Sequence, residues 1–163
     1  MLKKFVRTMA YIGGIATGFY LFASAPGIHK KKKWQHLTGW DYAHRGLYDN
    51  EHGIPENSMA AFRRAVDKGY GIELDVHLTA DNQLVVFHDD TLTRMCGMNK
   101  KISSFLYSDL MQLRLLGTEE GIPLFKDVLE LIDGKVPLII ELKVDGSNQN
   151  LLCPLVWQLL SRY

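Results

Sequence analysis

Four short runs in a fixed order constrain this chain most: AHRG at 43–46, IELDVHLTAD at 72–81, VVFHDD at 85–90 and PLIIELK at 137–143. Among their residues, His44, His88, Glu73, Asp75, Glu141, Arg45 and Lys143 are set on or beside apolar stretches of strand length. Side chains alternate across a strand, so Glu73, Asp75 and His77 share one face of the second run while Ile72, Leu74, Val76 and Leu78 share the other. Burying an unpaired charge is costly. Glu73, Asp75 and Glu141 beside a packed sheet therefore point to a cation or a basic partner among them.

With 163 residues, 47% of them hydrophobic, and a formal charge of +1, the composition is that of one globular domain. The near-neutral balance gives no electrostatic case for nucleic acid, which normally needs a basic face, and no interleaved aromatic and basic stripe supplies one. Cys96 and Cys153 lie far apart and show neither metal-ligand nor redox spacing, so both read as free thiols.

A strand over 41–44 ends in the His-Arg-Gly turn, and a polar loop follows over 47–56. Asn57 or Ser58 then caps a helix whose apolar face is Met59, Ala61, Phe62, Ala65 and Val66, closed by Gly69. The two strand-like runs within 72–88 are too close for a parallel crossover and predict an antiparallel hairpin. A turn centred between Asp81 and Asn82 sets His88 opposite Asp75. Helices are expected over 108–116 and 124–133, the second closed by Gly134. Pro137 opens a strand over 138–142, whose apolar run suits a parallel sheet covered on both faces. Leu151, Leu152, Leu155, Val156, Leu159 and Leu160 have helical spacing at the end of the chain.

Residues 8–28 form a run without charge, flanked by Lys3, Lys4 and Arg7 before and by Lys30–Lys33 after. That length just spans a hydrocarbon core of about 30 Å, which predicts a single-pass membrane anchor over 1–33 followed by a linker over 34–40. Ala23, Ser24 and Ala25 leave a cleaved signal peptide as the competing reading. Basic residues at both ends leave the orientation open.

In order and spacing, His44, Arg45 and Gly46, then Pro55, Glu56 and Asn57, then Glu73 and Asp75, then His88 and Asp89, and finally Glu141 and Lys143 resemble the glycerophosphodiester phosphodiesterase family, relatives of the phosphoinositide phospholipases C. The resemblance implies hydrolysis of glycerophosphodiesters to glycerol 3-phosphate and an alcohol on an α/β fold, the (β/α)8 TIM barrel. It implies His44, His88 and Arg45 as catalytic, Glu73, Asp75 and Glu141 as metal ligands, and Arg45 with Lys143 as substrate-binding residues. A set of carboxylate oxygens suits Mg²⁺ or Ca²⁺ rather than zinc. Two imidazoles suit the removal of one proton and the delivery of another, in an order the residues leave open.

A whole barrel takes about 250 residues. The expectation is therefore the N-terminal portion of a barrel over 41–163, about three barrel strands plus a hairpin excursion, truncated at its C-terminus. A lysophospholipase D-like activity on membrane lipid, or a non-catalytic anchored segment that keeps the motifs, stand as alternatives. His77 is expected at the surface. Glu56 either orients Arg45 or favours the helix N-terminus through its charge.

Overall fold

The computed structural model describes Gly14, residues 17–24 and residues 35–163, and it divides into one unit over 1–36 and another over 37–163. In the first unit residues 17–24 are helical and leave Phe19, Tyr20, Leu21 and Phe22 exposed. The rest of the expected anchor lies outside the described residues, and no helix among the described residues is long and apolar enough to cross a membrane.

The second unit is an α/β layer built on strand β2, Gly71–Leu78. Strand β1, Tyr42–His44, runs parallel to it along Gly71–Glu73. Strand β4, Leu138–Leu142, runs parallel to it along Ile72–Val76. Strand β3, Leu84–Val86, pairs antiparallel with Val76–Leu78. Helix α1, Met59–Asp67, begins where the buried Ser58 hydroxyl accepts from the Ala61 amide at 3.1 Å, and Gly69 follows it at φ 71°. After the one-turn helices α2 (Thr93–Cys96) and α3 (Tyr107–Leu110) come α4 (Phe125–Ile132) and α5 (Gln149–Leu160).

Alternation along the hairpin divides the core in two. Leu74, Val76, Leu78, Leu84 and Val86 pack with Phe62, Phe125, Val128, Ile132, Leu152 and Val156 from α1, α4 and α5. Val85 and Phe87 point the other way, into a second cluster with Leu92, Met95, Ile102, Leu110, Leu115 and Ile122. That cluster anchors the long excursion between β3 and α4.

Three expectations need correction. The hairpin pairs Val76 with Val86 and Leu78 with Leu84, one residue off the expected register. Its loop has an odd number of residues because Asn82 adopts the left-handed conformation, φ 60°, and donates its amide to the Thr79 carbonyl at 3.1 Å. The helix expected over 108–116 stops at Leu110, and a 3-10 turn at Leu115–Gly117 with Leu116 at φ 50° takes its place. Strand β4 is covered on one face only: Leu138, Ile140 and Leu142 are half-buried, whereas Ile139 is 46% exposed.

Candidate active site

Parallel pairing sets His44 level with Glu73, and Asp75 level with Glu141. Strand register alone therefore gathers an imidazole and three carboxylates towards the C-terminal ends of β1, β2 and β4. One oxygen from each of Glu73, Asp75 and Glu141 lies within 4.8 Å of the others, an all-oxygen set that could hold a divalent cation.

Asp75 is the centre of this group and is 0% exposed. The Asn57 amide donates to its Oδ2 at 2.9 Å, Arg45 Nε stands 3.7 Å from the same oxygen, and Lys143 Nζ is 3.0 Å from Oδ1. Burial by itself would raise the Asp75 pKa, but the Asn57 hydrogen bond and the Lys143 ammonium beside Oδ1 outweigh it and hold the carboxyl below its ordinary value. Lys143 also donates to Glu141 Oε1 at 2.7 Å, so one ammonium serves two of the three carboxylates. Glu73 behaves in the opposite way: burial, then the neighbouring Asp75 charge, raise its pKa. Asp75 Oδ1 and Arg45 Nε are buried without an aligned hydrogen bond. The donor set fits a hard cation, which would share the carboxylates with the Lys143 ammonium.

The His-Arg-Gly turn is clipped to its surroundings by backbone. Arg45, itself left-handed at φ 60°, donates its amide to both the Glu73 carbonyl at 2.9 Å and Glu73 Oε2 at 3.1 Å. Its carbonyl accepts from the Asn57 amide at 2.9 Å, and the Leu47 amide reaches the Ala61 carbonyl at 3.0 Å. His44 Nε2 lies 3.9 Å from Glu73 Oε2, with the imidazole 64% exposed at the mouth of the cluster.

His88 reaches the site by another route than the expected register. The Phe87 amide makes the last ladder bond, to the Asp75 carbonyl at 3.0 Å, and the chain then turns away. His88 Nδ1 is 2.7 Å from Asp89 Oδ1, and the His88 carbonyl lies 3.3 Å from His77 Nε2. His77 corrects the expectation of a surface residue: it is 2% exposed, and burial lowers its pKa. Of the two readings of Glu56 the structure selects the first, since its Oε1 accepts from Arg45 NH1 at 2.9 Å. The sequence reading missed Arg94, which bonds both Glu56 and Asp89, and the contact of Asn57 with Asp75. Asn57 stood in the PEN run and could have been found there; nothing in the spacing around Arg94 marked it.

The model of the glycerophosphoryl diester phosphodiesterase family matches residues 44–159. A lysophospholipase D of Homo sapiens is 34% identical over an alignment of 169 positions, gaps included, that covers 95% of this chain and 51% of the relative. A glycerophosphodiester phosphodiesterase of Bacillus altitudinis is 37% identical over 113 residues, 65% of this chain and 45% of the relative. Among solved structures, an Oleispira antarctica phosphodiesterase in complex with the product sn-glycerol-3-phosphate superposes with a TM-score of 0.69 at 28% identity, over 77% of this chain and 53% of that one. The chain thus spans about half the length of the relatives it matches. It belongs to the glycerophosphoryl diester phosphodiesterase family.

Proposed function

We propose that this chain carries the site for metal-dependent hydrolysis of glycerophosphodiesters to glycerol 3-phosphate and an alcohol, on part of the wall of a (β/α)8 barrel. The convergence of Glu73, Asp75 and Glu141 to within 4.8 Å, beside His44 and Arg45, carries this reading. A divalent cation held there, Mg²⁺ or Ca²⁺ by the oxygen donor set, would polarise the phosphoryl oxygens. Arg45 and Lys143 stand on either side of Asp75 and balance charge that develops on the phosphate. His44 and His88 share the proton exchange between attacking and leaving oxygens.

The test is release of glycerol 3-phosphate from glycerophosphocholine with Mg²⁺, Ca²⁺ or chelator, comparing the chain with Glu73→Ala and His44→Ala. Cation-requiring turnover that falls at least about 100-fold in both variants is expected. A folded chain inert with every cation would refute the reading.

A second reading has its own support: the match to the lysophospholipase D of Homo sapiens reaches across the N-terminal segment, to 95% of the chain, whereas that to the Bacillus altitudinis enzyme covers 65%. Faster choline release from lysophosphatidylcholine than from glycerophosphocholine would select it. A membrane tether over 8–28 belongs to the same proposal, supported by the uncharged run and by the exposed Phe19–Phe22. Loss of the chain from membranes on carbonate washing would count against it.

A further inference from the structure

Arg94 lies outside every motif that marks the site, on the one-turn helix α2 in the excursion after β3. Its neighbours Leu92 and Met95 are buried in the second core cluster, which fixes the backbone from which the side chain reaches out. Nε and NH2 donate to Asp89 Oδ2 and Oδ1 at 2.8 and 2.9 Å. NH1 and NH2 donate to Glu56 Oε2 and Oε1 at 2.9 and 2.7 Å. The second NH1 hydrogen meets Met95 Sδ at 3.1 Å, so all five guanidinium N–H groups are used. Each carboxylate then passes the contact on: Asp89 Oδ1 to His88 Nδ1 at 2.7 Å, and Glu56 Oε1 to Arg45 NH1 at 2.9 Å.

We propose that Arg94 is a positioning residue that locks His88 and Arg45 into one frame, through Asp89 on one side and Glu56 on the other. This rests on the phosphodiesterase reading of His88 and Arg45. Arg94 hydrogen bonding holds Asp89 at a pKa of about 2, so Asp89 is an ionised acceptor and His88 Nδ1 must be the donor. That assigns the ring's Nε2 to proton exchange. On the other side, burial would raise Glu56, but the bonds from Arg94 and Arg45 outweigh it and keep this buried carboxylate charged. A lysine at 94 retains the charge but cannot span two carboxylates with paired bonds.

Long-range ¹H–¹⁵N spectra of the imidazoles, recorded on the full chain and on Arg94→Lys and Arg94→Met, test the proposal without any need for turnover. The unmutated chain is expected to show His88 protonated at Nδ1, and both variants a mixture with the Nε2-protonated form. In parallel, Arg94→Lys should lower kcat by about tenfold or more, and by a clearly smaller factor when Asp89→Asn is already present, the remainder passing through Glu56 to Arg45. Arg94→Lys serves as the folded comparison if Arg94→Met unfolds, with circular dichroism as the check. An unchanged Nδ1 signature in a folded Arg94→Lys chain, or full additivity with Asp89→Asn, would overturn the proposal. A chain without turnover refutes the phosphodiesterase reading instead, while the imidazole spectra still decide the role of Arg94.

Discussion

Gly46 stands at φ 80°, facing α1, where a Cβ would come within 2.9 Å of Ala61 Cβ and 3.0 Å of the Ala61 backbone carbon. Gly46→Ala therefore combines a left-handed backbone with overpacking and is expected to destabilise the fold by roughly 2–5 kcal/mol in urea unfolding. Gly53 provides the control. It too is left-handed, at φ 75°, but nothing lies within 4 Å, so Gly53→Ala should cost only about 1–2 kcal/mol. Asp89 yields a pH signature. Its folded pKa of about 2 lies below the ordinary 3.8, so its stabilising effect is complete above that ordinary value and is lost as the pH falls towards 2. In Asp89→Asn the drop in melting temperature over that window should become shallower. At this scale the sequence named the candidate site residues and offered Glu56 as a partner of Arg45, but not Arg94. Arg94 belongs with Glu56 and Asp89 only because three distant segments fold together, whereas Gly46 announced its turn by residue type alone.

Helices and strands came from periodicity and caps, and their errors share a cause. The α1 cap, its apolar face and the closing Gly69 all follow from local chemistry and appear as expected. The hairpin register did not, because loop length depends on which residue takes the left-handed conformation. Asn82 does so here, and the change from the expected even-numbered loop, centred between Asp81 and Asn82, to an odd-numbered one shifts every pair by one. Asn82→Val should therefore destabilise by about 1–2 kcal/mol, while Asn82→Gly should leave the urea midpoint nearly unchanged. The early end of α3 has a similar origin: the sequence predicts a helix over 108–116, yet Leu110 and Leu115 enter the second core cluster through a turn rather than a continuous helix, which leaves Met111 and Leu116 exposed.

Across the whole molecule, three carboxylates and one ammonium form a charge cluster that a divalent cation would relieve. Cation binding to the folded state alone stabilises it by mass action, by about 2.7 kcal/mol at 100 times the dissociation constant. Mg²⁺ or Ca²⁺ should thus raise the melting temperature of the chain, chelator should reverse the shift, and Glu141→Gln should abolish it. The motifs, their order and the α/β class are properties of the sequence by itself, because strand alternation and the cost of burying charge act on neighbours along the chain. That Asp75 lies level with Glu141, that His77 is buried, that His88 arrives beyond the end of the ladder and that Arg94 joins two sides of the site were decided only by tertiary structure. The reason is physical: register, burial and two-sided ion pairs are set by packing between segments tens of residues apart, and no local propensity encodes them.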